Sequence, residues 1–170
     1  MGELQLGAVA PDFVLPGVRV VDGVAERADY RLSEHRDTPT VLAFYPADAS
    51  KVCTEQLCSY QDEFGGFDAL GAQVWGISPQ GLESHEDFAR SKGLTFPLLA
   101  DVDGAVAEQF GAMGKTFRRS VFIIDGNGVV RWSHVAKIGF GYRKAIEIRE
   151  QLRLLLPTPG GKSFTLAAPE

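Results

Sequence analysis

Cys53 and Cys58 are the only cysteines in the chain, and they stand five residues apart. They follow an apolar run, Thr40-Val41-Leu42-Ala43-Phe44-Tyr45, and open a stretch in which Leu57, Tyr60, Phe64 and Phe67 recur at steps of three and four. The first pattern suits a strand buried on both faces, the second the inner stripe of a helix. A strand that turns and delivers a thiol to the first turn of a helix is a setting for reactive sulfur. The thiolate is the nucleophile, and a helix N-terminus favours negative charge. Cys53 precedes Leu57 by four and so heads the buried stripe, whereas Cys58 falls on another side with Thr54, Gln61 and Asp62.

This spacing constrains the chemistry. Five helical residues give about 7.5 Å of rise and about 140° of rotation. A disulfide needs Cα atoms within roughly 7 Å and converging Cβ vectors. The two sulfurs can therefore bond only if the first helical turns unwind. A Cys-x-x-Cys redox dithiol would have two intervening residues, not four. Zinc would need further ligands, and His35, His85 and His134 are scattered without paired spacing. No metal and no cofactor is expected. The competing reading is two buried structural thiols.

Bulk properties narrow the setting. The chain has 170 residues, 45% of them hydrophobic and 23% charged, which suits one domain with a real core. A net charge of −5, with no run of Lys and Arg, argues against nucleic acid or an anionic membrane as partner. No apolar run approaches the ~20 residues of a bilayer span. Met1-Gly2-Glu3-Leu4-Gln5 lacks a signal-peptide core, so a soluble, cytoplasmic protein is expected. Two cysteines in a reducing compartment point to catalysis, redox chemistry or metal binding more than to a structural staple.

The elements that must position the cysteines follow from pattern. Val18-Arg19-Val20-Val21 before Asp22-Gly23 signals a hairpin. Gln73–Ser78 reads as a second buried strand. Leu82–Lys92 reads as a helix capped by Gly93. Phe96–Ala100 is a short extended piece, and Gly104–Phe110 offers one or two helical turns. Ser120–Ile124 and Val129–Trp132 flank Asp125-Gly126-Asn127-Gly128 as a hairpin. Tyr142–Leu156 is the longest helix candidate, with Ala145, Ile148, Leu152 and Leu155 on one face; prolines at 157 and 159 stop it. The order predicts an α/β, thioredoxin-like fold: a central mixed sheet flanked by helices, with an N-terminal β-hairpin extension. Residues 1–156 form the domain and 157–170 a C-terminal tail. Trp75 and Trp132 lie in strand patterns, where core or sheet-face packing competes with a partner surface.

These residues carry a resemblance. Pro46-x-x-x-Ser50-x-x-Cys53 is similar to the Pro-x-x-x-Thr-x-x-Cys motif of the peroxiredoxins, with Ser for Thr. Ala10-Pro11-Asp12-Phe13, Gly76-Ile77-Ser78, Phe96-Pro97-Leu98-Leu99-Ala100-Asp101 and Arg119-Ser120-Val121-Phe122-Ile123-Ile124-Asp125 fall in the family's order. From about Leu4 to Leu156 the chain resembles the bacterioferritin-comigratory (Q-type), alkyl hydroperoxide reductase E-like subclass.

The resemblance implies a thiol peroxidase acting on hydrogen peroxide and organic hydroperoxides. Cys53 would attack the peroxide and leave as sulfenic acid. A free thiol titrates near ~8.5, so the site must favour the thiolate. Arg119 is implied as the permanent cation beside it. Its neighbour Arg118 would point to the other sheet face. Ser50 keeps the hydroxyl that would bond peroxide and thiolate, though without the methyl that fixes a threonine rotamer. Pro46 would shield the sulfur, Val52 would line the substrate site where a glycine is common, and Gln56 would bond near Arg119. Val121 replaces a frequent Thr or Ser. Cys58 is implied as the resolving cysteine, forming an intramolecular Cys53–Cys58 disulfide that thioredoxin or a similar dithiol protein reduces. The alternatives are a one-cysteine peroxidase with Cys58 uninvolved, a peroxide sensor or relay with the same chemistry, and a non-catalytic interaction module. A monomer or homodimer is expected, with neither nucleic acid nor membrane as partner.

Overall fold

In the computed structural model, which describes residues 4–48, 50–136 and 145–155, the apolar runs become the centre of one seven-stranded sheet. The elements are β1 (Val14–Val21), β2 (Val24–Arg31), β3 (Thr40–Phe44), α1 (Lys51–Asp62), α2 (Phe64–Ala69), β4 (Gln73–Ser78), α3 (Leu82–Lys92), β5 (Leu98–Ala100), α4 (Ala105–Gln109), β6 (Ser120–Ile124), β7 (Val130–Val135) and α5 (Ala145–Leu155). Across the sheet they run β2-β1-β5-β4-β3-β6-β7. The inner trio β3, β4 and β5 is parallel. The hairpin β1–β2 joins β5 antiparallel on one side, and β6–β7 joins β3 antiparallel on the other. This is the mixed sheet with an N-terminal hairpin that the sequence predicts.

Alternation along β3 divides the core. Val41, Ala43 and Tyr45 face a layer with Cys53, Leu57, Tyr60, Phe88, Ile148 and Leu152. Leu42 and Phe44 face the opposite layer with Trp75, Phe110 and Phe122. Every residue of β3 and β6 is buried, since the two strands lie inside the sheet and both of its faces are covered by core layers. The predicted turn closes the first hairpin, with Asp22 and Gly23 at φ +52° and +79°, the left-handed pair that matches strand twist. Gly93 at φ +68° ends α3 as expected.

The structure corrects several boundaries. The stripe from Leu57 to Phe67 is not one helix: it breaks at Glu63, where φ and ψ are −97° and 8°. Both sides of the break are held. Gln61 accepts from Thr95 N at 2.8 Å and donates to Thr95 Oγ1 at 2.9 Å, and Arg149 donates to Glu63 at 2.8 Å. The last hairpin strand continues to Val135. Trp75 is core, and Trp132 packs partly buried against the α1 layer. Of the longest predicted helix, residues 142–144 and Leu156 lie outside the described residues, as does the predicted tail 157–170.

Candidate active site

β3 ends at Phe44, and the chain turns through Pro46 into α1. Ser50 is the N-cap of α1: its Oγ accepts from Cys53 N at 3.3 Å and donates to Ala47 O at 3.3 Å. Cys53 is thus the third residue of the helix, on the face that packs against the sheet, and is fully buried. The backbone N–H groups of the first turn carry the positive end of the helix dipole towards this position.

The other half of the site comes from topology. β6 runs antiparallel to β3 with Phe44 opposite Ser120, so the residue before Ser120 lies beside the exit of β3. Side chains alternate along β6, and Arg119 is in phase with Val121 and Ile123, which face the α1 layer. Arg118 is in phase with Phe122, which faces the other layer, as the sequence reading expects. Arg119 is only 8% exposed. Its Nη1 donates to Cys53 Sγ at 3.0 Å and to Gln56 Oε1 at 3.1 Å. Gln56 is buried in turn and passes a bond from Nε2 to the Tyr60 hydroxyl at 3.1 Å. The Nε of Arg119 is buried without a hydrogen-bond partner among the described residues.

The structure therefore brings Cys53, Ser50, Gln56 and Arg119 together. Val52 is half-buried at the second helical position, and Pro46 is half-buried in the turn after β3. Cys58 is apart, half-buried, and both cysteines are free. Burial chiefly pushes the Cys58 thiol up, with Asp62 adding to the shift and Lys92 opposing it. Among the described residues no group of side chains could hold a metal ion, and no helix is long and apolar enough to cross a membrane. A surface cleft of about 500 Å³ lined by Asp37, Pro39, Leu70 and Arg131 lies beyond the other end of β3 and gathers none of the predicted site residues.

Sequence reasoning missed a polar cluster beside the cysteine. Asp48, in the turn, accepts from Tyr45 Oη at 2.6 Å, Ser84 Oγ at 2.7 Å and His85 Nδ1 at 2.6 Å. Its own N–H donates to Gln80 Oε1 at 2.8 Å. Burial pushes the Asp48 carboxyl up, but the bond and charge of His85 and the bonds from Tyr45 and Ser84 outweigh it, leaving the carboxyl below its ordinary range. Tyr45 is pushed well up, first by burial and then by Asp48, with Cys53 a smaller contributor. Asp48 and His85 are 37 residues apart, and only the strand order brings them together.

The site is thus a cysteine capped into a helix start and bonded by the arginine that immediately precedes the neighbouring antiparallel strand. Residues 6–133 match the AhpC/TSA family. A putative peroxiredoxin of Mycobacterium tuberculosis is 36% identical over 153 residues, 80% of this chain and 93% of that protein. The chloroplastic peroxiredoxin Q of Oryza sativa subsp. japonica is 36% identical over 135 residues, 77% of this chain, and the chain spans 59% of that protein's length. Among solved structures, peroxidoxin BcpB from Mycobacterium tuberculosis superposes with a TM-score of 0.75 at 30% identity, covering 90% of this chain and 99% of that one. The chain belongs to the AhpC/TSA family, among the peroxiredoxins of the Q and Bcp kind.

Proposed function

We propose that the protein is a thiol-dependent peroxidase reducing hydrogen peroxide and organic hydroperoxides. The observation that carries this reading is the 3.0 Å contact between Arg119 Nη1 and Cys53 Sγ, both side chains being buried. An arginine is a permanent cation, so the bond it gives the sulfur is charge-assisted when the sulfur is a thiolate. The buried Arg119 Nε is a donor without a partner among the described residues, and a peroxide oxygen is an acceptor of the required kind.

In the proposed reaction the Cys53 thiolate attacks the terminal peroxide oxygen. The S–O bond forms as the O–O bond breaks, and the second oxygen leaves with its electron pair, taking a proton to become water or an alcohol. Arg119 stabilises the charge that moves on to that oxygen, Ser50 and Pro46 fix the turn, and Val52 lines the approach. Cys53 is left as sulfenic acid. Cys58 then attacks that sulfur, water is lost, and a Cys53–Cys58 disulfide results. Thioredoxin or a similar dithiol protein returns the two electrons. The cytoplasm, a reducing compartment, suits such a pair.

The test is peroxide-driven oxidation of thioredoxin by the wild-type, Cys53→Ser and Cys58→Ser proteins. Loss of turnover in Cys53→Ser supports the peroxidase, and unchanged turnover there overturns it. Full turnover in Cys58→Ser assigns the one-cysteine mechanism instead.

A further inference from the structure

The turn after Tyr45 has to hold Ser50 and Cys53 beneath Arg119, and its described residues 46–48 belong to no helix or strand. The last ladder bond of this strand is Tyr45 N to Ile77 O at 3.0 Å. Beyond it, the described hydrogen bonds from turn residues 46–48 to elements other than α1 all pass through Asp48. Its N–H reaches Gln80, which also accepts from Ser78 at 2.7 Å, and its carboxylate reaches Ser84 and His85. His85 goes one step further, with Nε2 at 3.0 Å from Leu99 O on β5.

The protonation pattern follows from the partners. A carbonyl only accepts, so His85 Nε2 must carry a hydrogen. Nδ1 lies 2.6 Å from a carboxylate oxygen, so a further proton lies between them. The histidine and aspartate meet in a site where the two side chains are 0% and 4% exposed. Ser84, His85 and Asp48 match a hydrolytic triad in residue type only. The serine donates to the aspartate and not to the imidazole, and Nε2 is occupied by Leu99 O. The cluster contains no activated nucleophile, and its geometry is that of a tether.

We infer that Asp48 is a positioning residue: clamped by His85, Ser84 and Tyr45, it holds the turn in the arrangement that presents Cys53 to peroxide, and its release lets the first turns of α1 open towards Cys58. This rests on the proposed peroxidase reading of Cys53. Two steps depend on the same tether with opposite sign. Attack on peroxide needs the turn in place, and disulfide formation needs it gone.

The experiment measures both steps in one set of proteins by rapid mixing with hydrogen peroxide. Sulfenic acid formation is read in a Cys58→Ser background and disulfide formation in the two-cysteine protein. Asp48→Ala should slow the first step about tenfold or more, since small displacements of reacting groups are costly, and should speed the second several-fold. Asp48→Asn, which can accept from Tyr45 and donate to a neutral His85, should return both rates most of the way. Unchanged rates in folded Asp48→Ala, or both steps slowed together, overturn the assignment. If Asp48→Ala does not fold, Ser84→Ala and Tyr45→Phe each remove one donor and should show the same opposed pattern at smaller size; unchanged rates in both overturn it equally. A wild-type protein that forms sulfenic acid but no disulfide sinks the resolving role of Cys58, and the sulfenic acid rates in the Cys58→Ser background then decide the role of Asp48. A wild-type protein inert to peroxide sinks the peroxidase reading itself, and the Asp48 assignment with it.

Discussion

Gln56 and Cys53 lie three residues apart on α1 and share one donor, the Nη1 of Arg119, at 3.1 and 3.0 Å. The glutamine therefore fixes the guanidinium that meets the sulfur, and Tyr60 fixes the glutamine. A positive charge alone would not need this second anchor, so geometry is part of what the site maintains.

Replacing Arg119 by Lys keeps the charge but substitutes a flexible point ammonium for a planar fork. Arg119→Lys should lower the rate of Cys53 oxidation by on the order of 100-fold, the scale of losing one aimed donor. Gln56→Leu should lower it less, because the arginine remains. Stopped-flow kinetics with limiting peroxide measures both, and a lysine variant at the wild-type rate would show that charge suffices.

Ser50 caps α1 through the Cys53 N–H. Ser50→Ala should cost about 1 kcal/mol of stability, as loss of an N-cap does, and Ser50→Thr should recover it. Urea unfolding of the reduced proteins gives the comparison; an alanine variant as stable as wild type would mean that the 3.3 Å bond contributes nothing.

In the proposed mechanism, the raised Cys58 thiol gives disulfide formation a pH dependence of definite direction. Only the thiolate attacks, and at neutral pH a thiol shifted upward supplies little of it. The rate of Cys53–Cys58 closure should climb about tenfold per pH unit through the neutral range and keep rising above the ordinary thiol value. Acid quenching and mass spectrometry across pH follow the closure, and a profile flat from about pH 6 to 9 would contradict the shift.

The lowered Asp48 carboxyl works on stability. A carboxyl whose folded pKa is below its unfolded value contributes stability that is fully present above the unfolded value, about 3.9 for aspartate, and is lost as the pH falls through the folded value. Asp48→Asn should be less stable than wild type at neutral pH and should lose less on acidification below about pH 4. Thermal unfolding at several pH values tests the sign; parallel losses in the two proteins would show that Asp48 is not the group responsible.

Much of the candidate site was legible from the family motif and from local periodicities together. The resemblance pointed to Arg119, alternation put Arg118 on the other face, and the step of four from Cys53 to Leu57 marked the thiol as buried. Other features were harder to read. The hairpin turn implied a partner for β1, but the extent of β2 did not show: it reads Val-Ala-Glu-Arg-Ala-Asp-Tyr-Arg and is exposed along most of its length, because an edge strand held mainly by ladder bonds to β1 has little apolar face to display. Asp48 and His85 are ordinary residue types in a turn and a helix. Only the parallel pairing of β4 and β5 with β3 brings α3 against the turn, and such long-range pairing has no local signature. The break at Glu63 is of the same kind, since Gly65 and Gly66, the residues that locally weaken a helix, come two and three residues after it.

The pins at the far end of α1 set a limit on any excursion of the cysteine. An opening that starts at Ser50 reaches Gln61, clasped to Thr95, and Glu63, clasped to Arg149, within about four turns. Strands, α3 and α5 need take no part, so the free energy of such a movement is that of a local element and not of the whole fold. In the proposed opening the segment would be a hinged flap of fixed length. After reduction of the proposed disulfide it would have one short helix to rewind from a stationary end, and the chain would recover its starting state without a new search for its fold.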